Sequence, residues 1–169
     1  MLVSLSVICK VLGAAAIFGS VGAALVSGRR RDRERLRRLD ALIAFAVFAR
    51  EQVDRYLTPV SEIMKRCDPA VWRDCLLGSP DGTPVPRDME EFGRMTSAGR
   101  YAADGRAALA EFSASFGRSY REEEVRCCDA CTGALKEVRA SLERTLRDRR
   151  RSDEVLSLCA AAAAVLLLL

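Results

Sequence analysis

The residues best suited to chemistry are the cysteines. There are seven of them and no histidine, so a histidine-based dyad, triad or metal site is excluded. Cys127-Cys128-Asp129-Ala130-Cys131 contains a CxxC. Cys67 and Cys75 could bring the thiolates to four, the number a structural zinc needs in tetrahedral array. Cys128 and Cys131 fall on one helix face, yet Cys67 and Cys75 lack the spacing of a zinc knuckle. Reduced cysteines filling small apolar positions account for the same residues without metal. A site at Cys67, Cys75, Cys128 and Cys131 stands as the competing reading, either as zinc or as a redox pair. Cys9 and Cys159 sit in apolar terminal runs and join neither. Glu122, Glu123 and Glu124 suggest acid–base or cation chemistry, but negative charge at a helix start is favoured by the helix dipole. Walker A, GxGxxG and nucleophile-elbow patterns are missing. Neither a catalytic constellation nor a cofactor is expected.

The arginines are the other chemical feature. The net charge of +4 conceals an uneven distribution. Residues 29–38 hold seven arginines against Asp32 and Glu34, and 139–154 hold six against four acidic residues. The stretch between them has 13 basic and 17 acidic side chains. With only 6% aromatics, the chain lacks the stacking surface of a nucleic-acid platform. The runs border apolar segments, and their outermost members, Arg29, Arg30, Arg31, Arg149, Arg150 and Arg151, read as topology signals that also attract anionic lipid headgroups.

Those segments set the expected organisation. From Val11 to Ser27 there is no charge, roughly 25 Å as a helix, and residues 1–28 read as an N-terminal transmembrane helix. Gly19 and Ala23 form a small-xxx-small pair that lets another helix approach. Residues 2–9 lack the basic start of a secretory signal. Residues 153–169, ending in four leucines, read as a second, short membrane segment. The positive-inside rule then places residues 29–152 in the cytoplasm and both ends outside.

The middle reads as all-α. Leu36, Leu39, Ile43, Ala46, Val53 and Leu57, with Phe45, Phe48 and Tyr56 alongside, give a broad apolar helix face. Thr58-Pro59 reads as a helix restart, with Thr58 as cap and Pro59 at the first position, and Asp68-Pro69 repeats it. Gly78 fits a helix stop, and the Pro-rich stretch 78–86 is a loop. Asp88 with Glu91 makes a capping box opening a helix expected over Met89 to Ser115. Ser119 with Glu122 makes another, opening a single helix from about Tyr120 to Leu169.

In this order the motifs resemble the stage III sporulation protein AB family. Lys10-Val11-Leu12-Gly13 is similar to its K-x-L-G at the first membrane helix. Thr58-Pro59-Val60-Ser61-Glu62 is similar to its T-P-L-x-E. Phe116-Gly117-Arg118-Ser119 resembles its L-G-x-S turn before the last helix. Gln52-Val53 replaces its Glu-Ile, and an alanine run replaces its C-terminal glycines. The family is itself similar to the inner-membrane platform proteins of type II secretion and type IV pilus systems. The resemblance implies a non-enzymatic membrane scaffold of the channel between mother cell and forespore, in the mother-cell membrane around the forespore. It implies other channel proteins as partners, including a cytoplasmic secretion-type ATPase. No nucleic acid or small-molecule substrate is expected, and homo-oligomerisation is left open. A pilus or secretion platform and a cysteine-dependent metal or redox regulator are the alternatives.

Overall fold

The computed structural model describes residues 2–77 and 85–168, with side chains from Val26 onward except at 154, 158, 161, 162 and 164–168. Among the described residues six helices follow one another: α1 (Leu2–Tyr56), α2 (Val60–Arg66), α3 (Pro69–Cys75), α4 (Met89–Ala98), α5 (Arg106–Ser115) and α6 (Arg121–Leu168). No strand occurs among the described residues, and the all-α class follows. The chain divides into two compact units, residues 34–143 and a second made of 1–33 with 144–169.

The second unit consists of the first part of α1 and the last part of α6. Among the described residues no helix is long and apolar enough to cross a membrane. The membrane helix expected at 1–28 has nearly all its side chains outside the described residues, as do many of those at 153–169. Gly78 and most of the proline-rich loop also lie outside them.

In the 34–143 unit, the apolar stripe of α1 packs inward through Leu39, Leu42, Phe45, Ala46, Ala49 and Val53. The stripe stops short of its expected end, since Tyr56 and Leu57 are 62% and 68% exposed. Phe45 is the centre of an aromatic cluster. Its ring centroid lies 4.7 Å from Trp72, 5.1 Å from Phe92 and 6.2 Å from Phe112. One side chain of α1 thus joins α3, α4 and α5. The Trp72 indole N–H, buried with the ring, donates to the Met64 carbonyl at 3.2 Å. α6 closes the bundle with Cys128, Cys131, Thr132, Leu135 and Leu142 inward, and runs antiparallel to α1. Ion pairs Asp40–Arg139, Arg50–Asp129 and Asp54–Arg121 step along the two helices in opposite directions.

The helix ends follow local chemistry, with three corrections. The Asp68 carboxylate caps α3 by accepting from the Ala70 N–H at 2.7 Å, and Asp88 caps α4 by accepting from Glu91 N–H at 2.8 Å. Thr58, however, does not cap α2. Pro59 takes that position, and the Thr58 hydroxyl turns back to Gln52 Oε1 at 3.3 Å. The helix expected over Met89 to Ser115 is broken. Residues 99–105 form a turn in which Gly105 adopts φ 77°, and a Cβ there would meet Leu135 Cδ2 at 2.7 Å. Only glycine fits both the backbone and the space. The third lies at the start of α6, where the Ser119 N–H donates to Glu124 and not to Glu122.

α1 terminates on Leu57 at φ 50°. Its N–H donates to the Val53 carbonyl, and that of Thr58 to Gln52, so the last carbonyls of the helix are satisfied. A leucine in the left-handed region costs about 1–2 kcal/mol. Leu57→Gly is expected to raise the unfolding free energy by about 1 kcal/mol, since glycine's larger unfolded-state entropy offsets part of the relief. Urea unfolding of parent and variant checks this.

Candidate functional site

The candidate cysteines do not form a site. Cys67, Cys75, Cys128 and Cys131 are all buried, and among the described residues no group of three or more potential ligands could hold a metal ion. Burial pushes the Cys67 thiol up to about 11, with the Asp68 carboxylate adding to it. Burial likewise pushes Cys131 up to about 12 and raises Cys75 and Cys128. These groups behave as small apolar residues that keep their protons. In the folded chain they hold protons at pH values where the unfolded thiol, near 9.0, has lost them. The stability they confer is therefore complete below pH 9 and lost as pH rises toward 11–12. The expected slope is at most about 1.4 kcal/mol per pH unit for each fully buried thiol. Urea midpoints at pH 8, 9.5 and 10.5 test this, and an unchanged midpoint over that range would contradict it. Half-buried Cys127 lines a groove of about 380 Å³ between α5 and α6, with Ala108, Glu111 and Ala130.

The arginine runs divide by role. Arg29, Arg30, Arg31, Arg149, Arg150 and Arg151 are exposed. The inner members of the first run are instead part of the bundle. Arg35 makes a two-pronged pair with Asp104, at 2.8 and 2.7 Å. Arg37 lies 3.2 Å from Asp74. Arg38 is 1% exposed. Its Nε donates to the Cys75 carbonyl at 3.1 Å, Nη1 to Tyr101 at 2.7 Å, and Nη2 to Thr96 at 3.0 Å. A longer contact of 3.4 Å joins Nη1 to the Asp104 carbonyl. The planar fork thus gathers carbonyls from the end of α3, the end of α4 and the turn after it, groups that helix termini leave without partners. Burial lowers the Arg38 pKa, and Asp104 acts against that. Nearby, the Tyr101 hydroxyl donates to Glu34 at 2.7 Å, so three side chains of the first turns of α1 within this unit hold the 99–105 turn. Arg38 was hidden among arginines. Its register with Leu42, Phe45 and Ala49, at steps of four, three and four, is the signal that places it on the buried face.

The two turn motifs, 54 residues or more apart in sequence, come together. The turn Phe116-Gly117-Arg118-Ser119 rests on the start of α2: Gly117 has φ 88°, and a Cβ on it would meet Val60 Cγ2 at 2.7 Å. Glu124 builds this turn. Its buried carboxylate accepts from the Gly117 N–H at 2.9 and 2.8 Å and from the Ser119 N–H at 2.8 Å. The expected partner of Ser119, Glu122, is exposed and leaves that bond to Glu124. The reason is the helix start. Tyr120 caps α6 through its carbonyl, which accepts from Glu123 and Glu124, so the inward-facing acid is two residues later. Arg121 then joins α6 to the last turn of α1, with Nη2 donating to the Asp54 carbonyl at 2.6 Å and to its carboxylate at 2.8 Å. Thr58, Pro59, Gly117 and Ser119 therefore occupy one end of the bundle, where α1 stops and α6 starts.

No family model, no curated protein and no solved structure matches this chain.

Proposed function

We propose that the chain is a non-enzymatic membrane scaffold of the mother cell–forespore channel needed for endospore formation. In this reading the apolar ends fix it in the mother-cell membrane, and the cytoplasmic bundle couples a secretion-type ATPase to the channel. The observation that carries it is the continuity of α1 and α6. Each is one unbroken helix that joins bundle residues to an arginine-rich flank and then to apolar sequence, in the motif order of the sporulation protein AB family. A second support is the meeting of the two turn motifs at one end of the bundle. That is what a partner-binding platform requires of segments so far apart in the chain.

The test is deletion of the gene in its endospore-forming host. The expected result is loss of heat-resistant spores and of late forespore gene expression, both restored by the intact gene. Normal spores after deletion would overturn the reading. Membrane anchoring is tested separately: the chain is expected to stay in the membrane pellet after an alkaline carbonate wash, and release into the supernatant would refute it.

A further inference from the structure

The end of the bundle where the two turns meet has side chains that its own packing does not use. Tyr56, Leu57 and Tyr120 are 62%, 68% and 88% exposed, and Pro59 is exposed beside them. Large apolar groups gathered at one place mark interaction surfaces more often than chance singles do. Leu57 adds an independent observation. It holds a left-handed backbone that glycine would adopt freely, yet its side chain buries little in the bundle. Strain kept at an exposed position indicates a use for the side chain outside the fold.

Charge narrows the occupant. Arg55 and Arg121 are held by Glu51 and Asp54 at 3.0 and 2.8 Å. Arg118, in the turn between α5 and α6, is exposed and has no ion pair or hydrogen bond among the described residues. Tyrosine and arginine are among the residues enriched in binding hot spots. A second copy docking through the same patch would bring Arg118 toward its own counterpart across a two-fold axis. A flat anionic membrane would meet the exposed Glu122 and Glu123 as well as Arg118, whereas a shaped protein pocket can set its carboxylates against Arg118 alone.

We propose that Tyr56, Leu57, Arg118 and Tyr120 form the docking surface for a partner protein that offers an apolar pocket edged by carboxylates. Leucine and tyrosine enter the pocket, and Arg118 pairs with its acidic rim. The proposal rests on the scaffold reading and gives that scaffold its contact face.

The test uses the full chain in its native membranes, with the photo-crosslinker p-benzoylphenylalanine at position 120. A single main adduct to another protein is expected, mapped by mass spectrometry to a segment containing aspartate or glutamate. Leu57→Gly and Arg118→Glu are each expected to reduce it at least tenfold at unchanged chain level. Leu57→Gly relieves strain, so a thermal melt no lower than the parent's shows that the loss is not misfolding. An adduct of two copies of the chain, an adduct to lipid alone, or a protein adduct that survives both substitutions overturns the proposal. The scaffold reading fails separately. If deletion leaves sporulation intact while the crosslink behaves as expected, the docking surface stands and the channel role falls. If deletion abolishes spores but both variants crosslink and sporulate like the parent, the docking surface falls.

Discussion

Arg38→Met is expected to lower the unfolding free energy of the purified chain by about 3–5 kcal/mol. The substitution removes the donors to the Cys75, Thr96 and Tyr101 carbonyls and the long contact to Asp104. Each buried acceptor left without a partner costs about 1–3 kcal/mol. Methionine restores apolar packing and ends the desolvation of a buried cation, and both offset part of the loss. Arg38→Lys is expected to recover only a fraction, because one ammonium cannot reproduce a flat fork aimed at carbonyls on separate elements. The control is the adjacent residue. Arg37 is more than half exposed where it faces Asp74, so Arg37→Met should change stability by no more than about 1 kcal/mol. Urea unfolding followed by fluorescence of Trp72, the chain's one tryptophan, measures all three. Equal effects at 37 and 38 would show that the guanidinium is not a structural hub.

Phe45→Ala is expected to cost about 3–5 kcal/mol. The ring is 1% exposed and lies within 6.2 Å of three others. Its loss opens a void at the one point where α1, α3, α4 and α5 meet. Aromatic pairs also add about 0.5–1.5 kcal/mol each beyond the area they bury. Phe48, three residues on and only half-buried, provides the comparison and should cost clearly less. The Phe45 variant should also shift the Trp72 emission of the folded protein, because the indole loses its nearest ring. A Phe45→Ala chain with the parent's midpoint and spectrum would contradict this placement of the core.

The two effects differ in how visible they were in the sequence. The apolar face that holds Leu39, Phe45, Ala46 and Val53 is plain, although Leu36 and Ile43 are only half-buried, and so is the single helix from Tyr120 onward, because apolar period and capping chemistry are local. Asp68 and Asp88 cap as their spacing predicts for the same reason. Thr58 and Glu122 fail because a cap depends on where the chain comes from as well as on residue type. α2 begins at Val60, one residue later than a Thr58 cap requires, so Pro59 takes the cap position, and Tyr120 shifts the inward acid to Glu124. The break at 99–105 was signalled by glycines, but their consequence required Leu135, thirty residues away. Arg38 was the least legible. A charged residue is assigned to solvent unless its acceptors are known, and those are main-chain carbonyls that residue types do not announce. The cysteines are legible in part, since Cys67 and Cys75 lack zinc-knuckle spacing, while their burial as packing groups shows only in the fold.

The pairing of α1 with α6 also sets the order in which the chain can fold. Arg38 needs carbonyls 37 to 63 residues downstream, and Asp40 meets Arg139 across 99 residues. Most helical bundles gain speed from contacts between neighbours in sequence. Here the helix synthesised first presents Leu39, Leu42 and Phe45 to solvent until its last partner leaves the ribosome. During that interval the nascent chain carries an uncovered apolar stripe, the kind of surface that chaperones bind and that aggregates when they do not. Productive folding must therefore wait for the first half of α6, through Glu143, and the contacts that close the bundle are made only after most of the sequence exists.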